Sequence, residues 1–159
     1  MSMKRVGRAL AATALLAVGT PSRAAADDVA VIVNKSNPIV TLTMGQLRKI
    51  VLAEEGKWPT GKKIMVWMTS PGQPERAGTL KIVAGMSETD FNLHFVRASL
   101  KDGGEPPNIV GSSALMKQSI AGVVNSVGFM LASQVDDSVK VVAIDGSLPG
   151  QPAYKLKLK

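Results

Sequence analysis

The chain has 159 residues, with 19 Lys and Arg against 12 Asp and Glu, and no cysteine. Without cysteine there is no disulfide staple, no thiol nucleophile and no cysteine metal site, so the fold must rest on its apolar core. The formal net charge is +7, but four basic residues (Lys4, Arg5, Arg8, Arg23) fall in the first 26, leaving 15 against 12, or +3. That balance is too mild for the dense basic face that a nucleic acid wants.

Met1 to Ala26 reads as a signal peptide. Lys4, Arg5 and Arg8 make the basic start, Ala9 to Val18 the apolar stretch, and Ala24-Ala25-Ala26 the small residues of a cleavage site. The apolar stretch is too short to span a bilayer. Cleavage after Ala26 and export to the periplasm are expected. Residues 27–159 then form one domain, 133 residues once 26 are removed from 159.

Val29 to Val33, VAVIV, is a continuous β-branched run and reads as a parallel-sheet strand buried on both faces. Asn34 to Pro38 breaks it, since the residue before proline avoids the helical region. Thr43 and Gln46 fit a capping box ahead of a helix with Leu47, Ile50 and Val51 on one face, and Met44 beside them. Ile64 to Met68 reads as a second strand. Thr69, Ser70, Pro71, Gly72 and Gln73 form a turn, and Pro74, Glu75 and Arg76 open a helix through Leu80, Val83 and Ala84, stopped by Gly85.

Ser87 and Asp90 suggest another capping box, with Phe91, Phe95 and Ala98 on the following helix to about Leu100. Asp102 to Pro107 is a loop of the kind that often carries function. Gly111, Ser112 and Ser113 cap a helix from Ala114 to about Ala121, with Leu115 and Ile120 apolar, ended by Gly122. Val127 to Leu131 is a strand whose Gly128 marks a bulge or a close backbone approach. Val139 to Ile144 is a further strand, and the alternating Tyr154 to Leu158 reads as an edge strand. Strands alternating with helices predict an α/β fold, a mainly parallel sheet of about five strands with helices on both faces. Val31, Val33, Leu47, Ile50, Val66, Leu80, Val83, Phe95, Leu115, Val127 and Val141 are the expected core, with the strands of Val31 and Val141 as neighbours.

Catalytic chemistry is thinly supplied. His94 is the only histidine and lies in a helical segment; no His, Asp and Glu cluster has metal-ligand spacing, and no base can be placed beside Ser70, Ser112 or Ser113. Asp136-Asp137, Glu54-Glu55 and Gly61-Lys62-Lys63 read as solvated turns. No catalytic residue, metal or cofactor is expected, and the chain does not read as an enzyme. What remains is backbone. Two helices start from turns rich in N–H and hydroxyl donors, at Thr69 to Gln73 and Gly111 to Ser113. If both leave the carboxyl ends of a parallel sheet, they share one crevice, and helix starts there favour anions. Any strand–turn–helix crossover has this outline, so the pattern alone does not decide the matter.

The order of motifs is more specific. Val29 to Asn34, Leu42-Thr43, Gln46-Leu47, Ile50, Gly56 and Trp58, then Val127-Gly128-Phe129 and Val139 to Asp145, resemble in sequence the substrate-binding proteins of phosphate ABC transporters. The resemblance covers nearly all of residues 27–159. It implies one lobe of the type II periplasmic binding protein fold, phosphate or another small oxyanion as ligand, and a periplasmic or membrane transporter partner. The expected ligand-binding residues are Thr69, Ser70, Gly72 and Gln73, in the run that matches the family's phosphate loop, Arg76 beside it, and Gly111, Ser112 and Ser113 at the second capped helix start. The chain departs from the family's Arg-x-x-Gly-Ser-Gly-Thr loop. Pro74 stands at the second glycine and has no N–H, and Glu75 stands at the threonine and adds negative charge. That leaves a second expectation beside the first: an accessory protein that keeps the fold without the ligand.

Overall fold

The computed structural model describes residues 28–101 and 103–158; the expected signal peptide lies outside the described residues. In chain order the elements are β1 (Val29–Val33), β2 (Thr41–Leu42), α1 (Met44–Val51), β3 (Met65–Thr69), α2 (Pro74–Thr79), α3 (Glu88–Lys101), β4 (Asn108–Val110), α4 (Ser113–Gly122), β5 (Ser126–Leu131), β6 (Lys140–Val141) and β7 (Ala143–Ile144). A π turn, Leu80–Ala84, prolongs α2, and a 3-10 turn, Ala132–Gln134, follows β5.

Local signals account for most helix ends. At α1, Gln46 N–H donates to Thr43 Oγ1 (3.1 Å) and Thr43 N–H to Gln46 Oε1 (2.8 Å), the reciprocal box. Pro74 opens α2, and Gly85 closes its π extension at φ +66°, where a β-carbon would be strained. At Ser87 only half of the expected box forms: Asp90 N–H donates to Ser87 Oγ (3.1 Å), while the Asp90 carboxylate accepts from that hydroxyl (2.8 Å).

Five strands form the main sheet in the order β4-β3-β5-β1-β6. β3 is parallel to both β4 and β5, and β1 is antiparallel to β5 and β6. Four strands therefore run one way and β1 runs against them. The expectation of a parallel β1 is corrected: all five of its residues are buried, but a continuous apolar run reports burial on two faces and carries no information about direction. Its expected neighbour holds, with Ile32 opposite Val141.

Helices cover both faces, which puts core on each side of the sheet. Val29, Val31 and Val33 meet Leu47, Ile50 and Val51 of α1, Leu80 and Val83 of the α2 extension, and Phe91 and Phe95 of α3. Ala30 and Ile32 meet Met116 and Ile120 of α4 on the other face. Leu115, expected in the core, is 49% exposed; Met116 is fully buried in its place. Met116 and Ile120 are four apart and share a face, whereas Leu115 is rotated a full residue away from it. Val66 and Val141 pack only half-buried.

Three more corrections concern short pairings. Val139 to Ile144 is not one strand: Val142 is buried between β6 and β7, and β7 leaves the main sheet to pair in parallel with β2. The strand β4, Asn108–Val110, directly follows the loop ending at Pro107, in a stretch to which local patterning assigns no element. Tyr154 to Leu158 keeps the burial of an alternating strand, with Tyr154 and Leu156 inward, but touches the sheet at one bridge, Lys157 to Asp28, and one bond, Val29 N–H to Leu156 C=O (2.8 Å). Tyr154 Oη anchors that tail on the Val29 carbonyl (2.5 Å).

Candidate functional site

Because β4, β3 and β5 run in parallel, their carboxyl ends reach the same edge of the sheet. Each chain segment leaving that edge is a turn. Thr69 ends β3 opposite Val110, the end of β4, and Ser70 N–H donates to the Val110 carbonyl (3.1 Å), tying the two turns together. Gly72 takes φ +93° in the first turn, a conformation that excludes most side chains, and Gln73 N–H closes it on the Ser70 carbonyl (3.3 Å). Ser112 caps α4, accepting from Leu115 N–H (3.2 Å). The N–H groups of Ser113 and Ala114 in its first turn have no helical acceptor.

Between these turns lies a cavity of about 140 Å3. Thr69, Gln73, Gly111, Ser112 and Ser113 line it, so five of the eight residues singled out in the sequence converge there. Ser70, Gly72 and Arg76 are not among the lining residues; the first two shape the turn. Arg76 is buried behind it, and its guanidinium is committed: Nε and Nη2 donate to the Glu88 carboxylate (2.9 and 2.5 Å) and Nη1 to the Thr69 carbonyl (3.1 Å). The guanidinium also stands 5.8 Å from the centre of the Phe91 ring. The bidentate Arg76 pair holds the Glu88 carboxyl below its ordinary value, the hydrogen bond being the larger cause and burial opposing it. Arg76 thus clamps the end of β3 to the start of α3.

Four further residues complete the lining: Pro74, Glu75, Leu131 and Gln134. Leu131 and Gln134 follow from β5 being the third parallel strand to end at this edge, which no local signal in the sequence marks. Thr69 is 1% exposed, and its Oγ1 is buried with no hydrogen-bond partner. A buried hydroxyl left unpaired is destabilising by about 1–3 kcal/mol, which sets Thr69 apart from the other lining residues.

A larger cavity, about 330 Å3, lies at the opposite, amino edge of the strands. Ile50, Val51, Ile64 and Val66 floor it, the loop Gly103 to Pro107 walls it, and an exposed Lys63–Glu105 pair (2.7 Å) stands at its rim. Two of its side-chain donors are taken, Lys63 Nζ by the Glu105 carboxylate and Asn108 Nδ2 by the Val66 carbonyl (3.2 Å). His94, the only histidine, is occupied elsewhere: its Nε2 lies 2.9 Å from the Leu52 carbonyl and its ring packs edge-on against Phe95. Among the described residues no group of three or more His, Cys, Asp or Glu is placed to hold a metal.

Comparison with solved structures gives the fold its place. A Clostridium perfringens protein classed as a phosphate ABC transporter substrate-binding protein, solved with bound phosphate, superposes with a TM-score of 0.64 at 27% identity. An ABC-type phosphate transport receptor from Vibrio cholerae superposes with a TM-score of 0.65 at 24% identity. The chain has the fold of the phosphate ABC transporter substrate-binding proteins. It carries one lobe of that fold: each match covers 77% of this chain but only 47% and 48% of the other. No protein-family model matches the chain, and no curated protein sequence matches it.

Proposed function

We propose that this chain is an exported solute-binding module whose cavity takes a small oxyanion, phosphate foremost, between the Thr69–Gln73 and Gly111–Ser113 turns. The observation that carries the reading is the convergence of the two turns on one cavity at the start of α4, with Thr69, whose buried hydroxyl has no partner, among the lining residues. The N–H groups of Ser113 and Ala114 and the positive end of the ten-residue α4 favour an anion there. The phosphate-bound Clostridium protein supports the ligand class. Ser112 retains its hydroxyl proton for a ligand, since its oxygen already accepts from Leu115. Ser70 and Gly72 hold the turn, and Arg76 fixes Thr69 through its carbonyl. The reading implies binding and release without chemical change, and a membrane transporter as the partner that collects the solute.

Titration calorimetry of the purified protein with phosphate and with sulfate tests this directly. Saturable heat with phosphate is expected, and Thr69→Val should weaken it about tenfold, the worth of one neutral-to-charged hydrogen bond of ~1.5 kcal/mol. The same substitution should leave thermal stability unchanged or raised, because it removes an unpaired buried hydroxyl. A second reading, an accessory protein that docks a partner on the same edge, is favoured by Pro74, which lacks an N–H, and by the acidic Glu75 among the lining residues. Flat titrations with every oxyanion would move the conclusion to it.

A further inference from the structure

Glu75 is the one ionisable side chain among the nine residues that line the cavity, and no Lys, Arg or His lines it. It is 5% exposed. Among the described residues its carboxylate makes no hydrogen bond and no ion pair: the only bond at Glu75 is to its backbone carbonyl, from Thr79 Oγ1 (2.7 Å). The nearest arginine in sequence, Arg76, is taken by Glu88. The carboxylate keeps some contact with solvent, and an unpaired carboxylate on a nearly enclosed residue favours a cation beside it. The same small cavity holds features of the other polarity, the free N–H groups at the start of α4 and the unpartnered Thr69 hydroxyl. One wall of the cavity therefore suits an anion and another suits a cation.

We infer that the ligand is a small zwitterion, an oxyanion group carried a few bonds away from a primary ammonium. This rests on the oxyanion reading above and narrows its substrate class. The phosphate, phosphonate or carboxylate end sits at the start of α4 with Thr69, and the ammonium sits against Glu75. A bare dianion meets an uncompensated carboxylate in this cavity, whereas a zwitterion pairs both walls.

The test is a ligand series titrated into the purified protein: phosphate, phosphoethanolamine, and glycol phosphate, which has the same chain length and a neutral hydroxyl for the ammonium. Phosphoethanolamine should bind at least ~10-fold more tightly than glycol phosphate, a difference of ~1.4 kcal/mol. Glu75→Gln, a near-isosteric change that removes the charge, should bring the two within ~3-fold and should tighten phosphate. Should that variant fail to fold by circular dichroism, the wild-type series alone still decides. Phosphate or glycol phosphate bound as tightly as phosphoethanolamine overturns the zwitterion and leaves the oxyanion site standing. No binding of any of the three overturns both.

Discussion

Arg76 and Glu88 show how a charged pair can brace a sheet edge without lining the cavity there. The Arg76 side chain is 4% exposed and the Glu88 side chain 35%. Glu88→Ala leaves a buried cation facing only the Thr69 carbonyl and Phe91. Removing one partner of a fully buried pair costs 3–5 kcal/mol; with Glu88 partly screened by water, a loss of about 2–3 kcal/mol is expected, read from chemical denaturation. The sign with pH follows from the lowered Glu88 value. Its contribution to stability is complete above the ordinary glutamate value of 4.5 and fades as pH falls through the lower folded value. Wild type should therefore lose stability on acidification below that point, and Glu88→Ala should lose less over the same interval. Equal slopes for the two proteins would show that the pair is not the source.

At the scale of elements, the packing of α4 on the sheet depends on Gly128. A β-carbon there would lie 2.6 Å from Met116 Sδ and 3.0 Å from Ile120 Cδ1, the two residues that α4 buries. The glycine expected to mark a bulge or a close approach is the close approach: β5 pairs without interruption from Val127 to Leu131 against β1. Met116 can swing aside but the branched Ile120 has less room, so Gly128→Ala should destabilise by about 1–3 kcal/mol, an overpacking effect. Because α4 carries Ser112 and Ser113 to the cavity, phosphate binding should weaken along with the melting temperature. A variant that melts as wild type does would mean that α4 accommodates the methyl group freely.

At the scale of the whole molecule, the proposed site stands on one lobe of a fold about twice as long in its structural neighbours. A single wall leaves a ligand in contact with water, so each hydrogen bond competes with solvation and binding is expected to be weak. Two loop residues add to this. Pro74 withholds an N–H, and like charges about 4 Å apart repel by about 4 kcal/mol at a surface-like dielectric, which sets the scale of what Glu75 can do to a phosphate. The double change Pro74→Gly, Glu75→Thr should therefore tighten phosphate binding in calorimetry. Tight binding by the wild type would instead place the phosphate away from this loop. The export expected from residues 1–26 is also tested on the whole molecule: mass spectrometry of the protein recovered from the periplasm should find a chain beginning at Asp27, and an intact Met1 would count against it.

The residues themselves determined which segments are buried and where helices begin. The β-branched run of β1, the Thr43–Gln46 box, Pro74 at the first turn of α2 and Gly85 after it are all local, decided by sterics and hydrogen bonds within a few residues. Thr69, Gln73, Gly111, Ser112 and Ser113 could be singled out for the same reason, because a turn between a strand and a helix is written in a handful of adjacent side chains. Only the tertiary structure decided what depends on distant partners. β1 runs antiparallel because its neighbours β5 and β6 come from the far end of the chain, and no local pattern encodes their direction. Leu115 and Met116 exchange places because the rotation of α4 is set by the sheet beneath it. Arg76 is withdrawn from the cavity because Glu88, twelve residues on, reaches it first. Gln134 enters the cavity through the parallel alignment of three strand ends, and Glu75 meets the start of α4 there by the same alignment, a juxtaposition made by long-range pairing and not by sequence distance.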